Sequence, residues 1–491
     1  MKVLLITPPY YVPGETYAIS VGQPLGIAYL GGSLREAGHD VVLVDGLMGG
    51  RRRDLTADDL LKASDPNEYS DCIRISRGVF QRNKLDETFP SGATTVGLSF
   101  EQVEEIIRKE KPDVVGISVI FTSIFKSGAH IAALIKKIDP TIITVMGGTH
   151  VTVSKESCLA VDAIDYIVTG EGEISFRELL DNLENEEKLK TTLGVGFVRD
   201  GETFYTPHEL NYELDELAFP AFDLLEMDDY FETMAEGRAG KMYTTRGCPF
   251  ACSFCSVPLT SERRFRVHSI ERTIKEARYW CDTYNVETLI FEDDNINTNL
   301  KRYKALISGF LEADIGVKID ARNLRCDLLD EDVLLLMKKA GFETVWITPE
   351  SGSQRVMDEI INKKMKVNES WAAAQRILKC GMDVGAAFVI GFPGETRKEI
   401  QKTIDFAYGL KNMGVKNFWF SIATPIEGTA LYNRAIESGL IDGIDFDKFT
   451  YNTAVFDTDE FSAEELKVWR NELMSDLNEY ANATCGKPQV A

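Results

Sequence analysis

Between residues 241 and 424 short β-rich segments alternate with amphipathic ones at the spacing of βα units. The β-rich segments are KMYTTRG (241–247), TLIFEDDN (288–295), VKIDARNL (317–324), TVWITPES (344–351), VGAAFVIGFPGE (384–395) and NFWFSIATP (417–425). Among the helical stretches are SIERTIKEARYWCDTY (269–284) and LDEDVLLLMKKAG (329–341), the second with Asp330 placed to cap and Gly341 to stop it. Six such units make a partial TIM-type (β/α)6 barrel, an architecture that puts its chemistry at the C-terminal ends of the strands. The polar residues fall at those ends: Glu292, Asp293 and Asp294 close the second strand, Arg322 the third, Glu350 the fourth, and the GFPGE turn from Gly391 through Pro393 to Glu395 the fifth.

The first 185 residues read as a separate α/β unit. KVLLITPP (2–9), HDVVLVDG (39–46), PDVVGISV (112–119), TIITVMGG (141–148) and IDYIVTGEGE (164–173) are nearly continuous apolar strands, as a parallel sheet buried on both faces requires. Helical segments separate them, among them FEQVEEIIRKEK (100–111), with Ser99 and Gln102 spaced as a capping box. This is a Rossmann-like, flavodoxin-like arrangement that takes ligands beyond the carboxyl ends of its strands. No G-x-G-x-x-G follows the first strand, which disfavours a dinucleotide. The expected order is therefore a ligand-binding unit over 1–185, a linker over 186–235, the barrel over 236–440 and a C-terminal helical extension over 441–491. Residues 49–97 are too long for a βα connection and are expected to be a substrate lid or a disordered insertion. SAEELKVWRNELMSDLNEYAN (462–482) reads as one amphipathic terminal helix.

Composition bounds the function. With 54 basic against 77 acidic residues the net charge is −23, which repels phosphate backbones. The only dense basic run, Arg51 to Arg53, is short, so a nucleic-acid substrate is not expected. No apolar run approaches the roughly 20 residues of a membrane span, and Pro8 and Pro9 interrupt the start before a signal-peptide core forms. A cytoplasmic protein is expected, and the scattered cysteines at 72, 158, 281, 326, 380 and 485 suit reduced thiols.

The other three cysteines stand together in RGCPFACSFC: Cys248, Cys252 and Cys255. A structural zinc site ordinarily has a fourth ligand at comparable spacing, and His268 lies thirteen residues past Cys255. A [4Fe-4S] cluster held by three cysteines leaves one iron without a protein ligand, open for chemistry.

The loop resembles the hallmark of the radical S-adenosylmethionine (SAM) superfamily, C-x3-C-x2-C with an aromatic, here Phe254, before the last cysteine. The resemblance implies that the open iron chelates the amino and carboxylate groups of SAM and that an electron from the cluster cleaves it to a 5′-deoxyadenosyl radical. It implies further that Asp293 or Asp294 engages the SAM amino group, that Glu350 in PESGS holds the ribose, and that VIGFPGE, with Gly391 and Pro393, packs on adenine. Arg322 is expected either to bind the SAM carboxylate in bidentate fashion or to be a surface arginine. Pro349 departs from the smaller residue usual before the Glu-Ser pair, which puts the backbone geometry there in question.

The N-terminal motifs resemble the cobalamin-binding class of that superfamily. TPPY (7–10), QPLGIAYL (23–30), PDVVGIS (112–118), MGGTHVT (146–152) and VTGEGE (168–173) recur in that class in this order, as does the linker LDELAFPAFDLL (214–225). The resemblance implies cobalamin contacts from Thr7, Pro9 and Tyr10, from Gln23, Pro24 and Gly26, and from Ser118 and Thr122. It implies others from Gly147, Gly148, Thr149 and His150, and from Gly170, Glu171, Gly172 and Glu173. Alanine at Gly148 is expected to weaken cobalamin uptake by crowding the nucleotide tail. The D-x-H-x-x-G motif that supplies an axial histidine in mutases is absent, so cobalamin is expected with its tail base displaced and no motif histidine on cobalt.

Taken together, the resemblance implies an enzyme that methylates an unactivated carbon, or a phosphinate phosphorus, of a small molecule. The cofactors are a [4Fe-4S] cluster, SAM and cobalamin, with electrons from a donor such as flavodoxin or ferredoxin. A cyclase, oxidase or ring-rearrangement enzyme with the same cofactors is the alternative, and a cobalamin carrier with a structural cluster a third reading. Tyr243, Thr348, Trp419 and Ser421 are candidates for the substrate pocket.

Overall fold

The computed structural model describes residues 1–12, 19, 21–54, 72–86, 89–443 and 453–478. It separates into two compact units, Met1–Arg238 and Ala239–Ala491.

In the first unit the strands are β1 (Lys2–Thr7), β2 (Tyr10–Val12), β3 (Asp40–Asp45), β4 (Cys72–Ile75), β5 (Gly78–Lys84), β6 (Thr94–Val96), β7 (Val114–Ser118), β8 (Ile143–Gly147), β9 (Tyr166–Val168), β10 (Val195–Arg199) and β11 (Glu202–Tyr205). Seven form one sheet in the order β11-β10-β9-β8-β7-β1-β3. The five from β3 to β9 run parallel, and β10 and β11 extend the sheet antiparallel. Numbered among themselves, the parallel strands stand in the flavodoxin-like order 2-1-3-4-5, with the switch point between β1 and β7. Val3, Leu5, Val145 and Phe176 are at most 2 % exposed and anchor the core beneath the helices.

Part of the stretch expected to be a linker belongs to this unit. Residues 195–205 form the antiparallel edge of the sheet, and the segment 214–225 lies on the helix Leu25–Glu36, where the Ala221 N–H donates to the Ala28 carbonyl at 2.8 Å. Gly32 permits that approach, since a Cβ there would stand 2.1 Å from the Phe219 carbonyl oxygen. Residues 49–97, expected as a substrate lid or a disordered insertion, form part of a sheet where they are described. Where they are described, β4, β5 and β6 pair with β2 in a four-stranded antiparallel sheet, while 55–71 and 87–88 lie outside the described residues. The basic run is neutralised within this unit: Arg51 pairs with Asp229 at 2.5 Å and Glu232 at 2.8 Å, and Arg53 also pairs with Asp229.

The second unit carries six parallel strands in chain order: β12 (Ala239–Met242), then β15 (Thr288–Phe291), β16 (Lys318–Leu324), β17 (Phe342–Glu350), β18 (Asp383–Ile390) and β19 (Asn417–Ile422). A two-residue ladder, β13 (Thr245–Arg246) with β14 (Arg266–Val267), brackets the cysteine loop. Asp330 caps the helix Glu331–Lys339 through the Val333 N–H at 2.8 Å, and Gly341 follows with φ +95°. Ser99 and Gln102 form the expected capping box in the first unit.

A partial barrel leaves β19 with an unpaired edge, which is an aggregation hazard unless covered. The terminal helix Ala463–Leu477 supplies the cover. Its following residue Asn478 accepts from the Phe418 N–H at 2.8 Å and donates to the Phe418 carbonyl at 3.0 Å, and Arg470 donates to the Phe420 carbonyl at 3.0 Å. Among the described residues no helix is long and apolar enough to cross a membrane, and cysteines 158, 248, 252, 255, 281, 326 and 380 are not in disulfides.

Candidate functional site

The cysteine loop leaves β12 and is fastened by the end of every later strand. After β15, Asp294 accepts the Gly247 N–H at 2.8 Å. Gly247 has φ +82°, and a Cβ there would lie 2.1 Å from the Arg264 carbonyl oxygen, so the turn into the loop requires glycine. After β16, the Arg325 guanidinium sits 4.0 Å over the Phe250 ring while forking onto Asp327 at 2.7 and 3.0 Å. After β17, the Ile361 carbonyl receives the Ser253 N–H at 2.8 Å, and the Asn362 amide donates to the Ala251 carbonyl at 3.1 Å. After β18, Phe392 packs against Phe254, ring centroids 5.8 Å apart. After β19, the Leu431 N–H donates to the Ser253 carbonyl at 2.8 Å.

The three thiols are half-buried, and burial, the largest cause, raises all three and pushes Cys252 to about 11 and Cys255 to about 12, with Cys248 adding to the rise at both of those. They therefore stay protonated until a cation takes up the thiolate charge. Among the described residues no three His, Cys, Asp or Glu side chains close round a single ion. Three half-buried thiols on one fastened loop suit a cluster in which each thiolate meets a different iron.

The two neighbouring aspartates divide their work. Asp293 is fully buried, and its Oδ1 receives the Thr244 N–H and the hydroxyls of Thr244 and Thr245 at 3.1, 2.9 and 2.5 Å. Burial raises its pKa to about 6 despite those bonds. Only Asp294 of the pair is exposed beside the loop. Glu350 is buried and in the left-handed region at φ +62°, and the β17–β18 register shifts between Ile347 and Glu350. The backbone next to Pro349 is thus strained, at a cost of order 1–3 kcal/mol. Glu350 is paired with Lys363 at 2.6 Å. Arg322 donates to Asp320 at 3.1 Å and stands 3.9 Å from Glu292, which pairs with Lys241 at 2.7 Å. Glu395 binds back to the Gly391 and Phe392 N–H groups, at 2.8 and 3.1 Å, and so closes the turn that holds buried Pro393. Of the pocket candidates, Tyr243 follows β12, the Thr348 hydroxyl accepts from Lys363 at 2.7 Å, and the Trp419 indole donates to Ser421 at 2.9 Å. Lys363 and Arg325 carry no motif in the sequence; only the fold brings their charges to the loop.

In the first unit the C-terminal sheet edge gathers most of the residues singled out there. The Val119 N–H donates to the Gly147 carbonyl at 2.7 Å and the Gly170 N–H to the Thr152 hydroxyl at 2.9 Å, which locks the loops after β7, β8 and β9 together. Four helices start at this edge, Leu25–Glu36, Phe125–Ile138, Thr149–Val153 and Gly172–Asn182, and none has a capping side chain at its N-cap, Pro24, Ile124, Gly148 or Glu171. Uncapped first turns present N–H donors. A Cβ at Gly26 would meet nothing within 4 Å, and one at Gly172 only two side-chain methyls at 3.8 Å. Open glycines beside helix first turns that no side chain caps fit a large polar ligand.

Other residues there are committed to the fold. The Thr7 hydroxyl donates to Asp45 at 3.1 Å, and the Glu171 carboxylate accepts the Asn211 N–H at 3.1 Å. Gln23 and Glu173 are buried, Ser118 ends β7 and Tyr10 opens β2. His150 is 1 % exposed, 3.2 Å from the Thr122 hydroxyl and packed on Phe125, and burial lowers its pKa to about 4. Gly148 corrects the expectation placed on it. At φ +115° an added Cβ would strike the Val119 carbonyl oxygen at 2.6 Å, so alanine there disturbs the backbone with or without a ligand.

Known proteins agree with this arrangement. The Radical SAM superfamily matches residues 242–407 and the B12 binding domain residues 88–180. An uncharacterized methyltransferase of Pyrococcus horikoshii is 33 % identical over 469 residues, covering 95 % of this chain and 90 % of the relative. A cytidylyl-2-hydroxyethylphosphonate methyltransferase of Streptomyces wedmorensis is 26 % identical, covering 90 % and 83 %. An anaerobic magnesium-protoporphyrin IX monomethyl ester cyclase of Rubrivivax gelatinosus is also 26 % identical, covering 95 % and 75 %. The fold matches the radical SAM methyltransferase TsrM from Kitasatospora setae with a TM-score of 0.66 at 14 % identity, over 98 % of this chain and 89 % of that one. A flavodoxin-like unit followed by a six-stranded barrel with a fastened three-cysteine loop, and a relative at this identity along almost the whole chain, place the protein among the cobalamin-dependent radical SAM enzymes, whose cofactors are a [4Fe-4S] cluster, SAM and cobalamin.

Proposed function

We propose that the protein is a methyltransferase acting on an unactivated carbon, or a phosphinate phosphorus, of a small molecule, and that it consumes SAM in two different ways. The observation that carries this reading is the three-cysteine loop, fastened at five strand ends in a chain that follows a methyltransferase along 95 % of its length. When bound, the cluster supplies the electron that cleaves SAM and cobalamin carries the methyl group.

The chain's own residues bind and orient. Cys248, Cys252 and Cys255 hold the cluster, and Asp294 fixes the entry to their loop through Gly247. The strained Glu350 and the turn from Gly391 through Pro393 to Glu395 receive the ribose and adenine of SAM. Asp293 acts beneath them as a support for Thr244 and Thr245, and Arg322 keeps its place within the charge cluster of Asp320, Glu292 and Lys241. In the first unit, the loops that carry Gly26, Ser118, Gly147 and Gly172 cradle the cobalamin beside helix first turns that no side chain caps. The boundaries proposed for the two activities follow the compact units, with cobalamin before Arg238 and SAM after it. The electron comes from a one-electron carrier such as flavodoxin or ferredoxin, in the cytoplasm.

The test is stoichiometric. With cluster, cobalamin, a reductant and methyl-labelled SAM, S-adenosylhomocysteine and 5′-deoxyadenosine are expected in about one-to-one ratio with a labelled product. The similarity to a cyclase along 95 % of the chain supports one other reading. If 5′-deoxyadenosine tracks the product while S-adenosylhomocysteine stays at background and no label transfers, the enzyme is a cyclase or rearrangement catalyst.

A further inference from the structure

The six parallel strands of the second unit have one face under helices and one toward the lumen of the partial barrel. A Cβ at Gly240 would meet Trp280 of the helix Ile270–Tyr284 at 2.4 Å, and Phe291 packs on Phe310 of the helix Leu300–Glu312. Phe388 packs on Phe406 of the helix Arg397–Met413 and stacks on Phe420. Gly240, Phe291, Phe388 and Phe420 therefore mark the covered face. Side chains alternate along a strand, so the neighbours Lys241, Glu292 and Trp419 face the lumen, as does Gly385, three residues before Phe388. Gly385 pairs with Trp346, whose ring a Cβ at Gly385 would meet at 2.4 Å, and Ala387 pairs with Trp419.

A closed TIM-type barrel fills its interior with layers of bulky branched side chains. This lumen is built differently. The half formed by β12, β15 and β16 is ionic: Lys241 pairs with Glu292 at 2.7 Å, and Arg322 stands 3.9 Å from Glu292 and pairs with Asp320 at 3.1 Å. All four side chains keep solvent contact, at 15–33 % exposure. The half formed by β17, β18 and β19 is aromatic, with the two indoles beside the small residues Gly385 and Ala387. Trp419 is 38 % exposed even with the Arg470 guanidinium 5.7 Å from its ring centre. Exposed charges and an exposed indole inside one barrel suit a ligand site, where apolar walls and a few polar groups converge.

The ionic half holds two cations and two anions, Lys241 and Arg322 against Glu292 and Asp320, and so sums to zero. A lone anion or a lone cation entering it would leave one protein charge without its partner, which is costly away from water. A zwitterion exchanges pair for pair. The indoles across the lumen offer apolar faces to a ring. We propose that the lumen takes as substrate a small zwitterion that carries a flat ring, an aromatic α-amino acid in chemical class. Its charged end meets the ionic half and its ring lies against Trp346 and Trp419. That such a molecule is the methyl acceptor rests on the methyltransferase reading; that it binds rests on the lumen alone.

The full chain, reconstituted with cluster and cobalamin, is titrated calorimetrically with L-phenylalanine, L-tyrosine and L-tryptophan, and with L-alanine, 3-phenylpropionate and 2-phenylethylamine. The last three lack the ring, the cation and the anion in turn. At least one aromatic amino acid is expected to bind at least about tenfold more tightly than each of them. Trp419→Ala is expected to weaken that binding by up to about tenfold and to leave L-alanine unaffected. Trp419→Leu, which keeps apolar bulk without the ring, decides in its place if the alanine variant does not fold. The proposal is overturned if no aromatic amino acid binds, if one of the three fragments binds as tightly, or if the tryptophan variants bind as the wild type does. Methyl-labelled SAM is then added to the same samples. Binding in the expected pattern with no labelled product leaves the lumen site standing and removes methyl transfer to its occupant. Methyl transfer to another acceptor, with no amino acid bound, overturns the substrate class and leaves the methyltransferase reading standing.

Discussion

Glu395 is 1 % exposed at the end of the GFPGE turn, and its two oxygens are unequally served. Oε2 receives two N–H groups, from Gly391 and Phe392, while Oε1 is buried with no partner among the described residues. Burial raises its pKa from 4.5 to about 7, against the lowering effect of those two bonds. The folded chain thus binds this proton more tightly than the unfolded one. The stability it contributes is complete below about pH 4.5 and is lost as the pH climbs to about 7. At 1.36 kcal/mol per unit, a rise of about 2.5 units corresponds to about 3 kcal/mol. Glu395→Gln keeps one oxygen for both N–H groups and places an uncharged amide where Oε1 lies, so its own contribution does not vary across this range. The variant is expected to lie within about 1 kcal/mol of the wild type at pH 5 and to exceed it by about 3 kcal/mol at pH 8. For a unit of this size that is a difference in thermal midpoint of roughly 6–12 °C at pH 8. Circular-dichroism melts of both chains from pH 5 to 8 at constant ionic strength measure it. A difference that does not grow with pH, or a wild type that is the more stable at pH 8, refutes the reasoning.

Replacing Cys248, Cys252 and Cys255 by alanine is expected to abolish binding of about four irons, whereas Cys281→Ser and Cys380→Ser retain them; iron kept by the triple variant in a colorimetric assay would remove the cluster from this loop. Gly26→Phe places a ring where a Cβ meets nothing within 4 Å, so the thermal midpoint should hold while cobalamin uptake, read by absorbance, falls at least about tenfold; unchanged uptake takes Gly26 out of the site. Asn478→Ala removes both bonds to the β19 edge and is expected to cost about 1–3 kcal/mol and to increase light scattering on warming, an outcome absent if the edge is protected by other means.

Local signals in the sequence determined the barrel strands, the caps at Asp330 and Ser99, the terminal helix and the three-cysteine loop, because period, capping and ligand spacing are set by residues close together in the chain. The flavodoxin-like unit was readable for the same reason: strands buried on both faces announce themselves as apolar runs. What only the tertiary structure decided lies between residues far apart. Nothing near Lys363 in the sequence says that its ammonium meets Glu350, and nothing near Asn362 says that it holds Ala251, 111 positions away. Asp293 and Asp294 are adjacent and chemically identical, yet the fold buries one under two threonines and gives the other to Gly247. The glycines tell the same story, since Gly26 faces open space and Gly148 faces the Val119 carbonyl. Residues 49–97 carry little periodicity, and their β-sheet exists because β2, more than sixty residues before β6, supplies its partner strand. Burial, pairing and steric room depend on which distant segments arrive beside a residue, and that is settled only when the chain has folded.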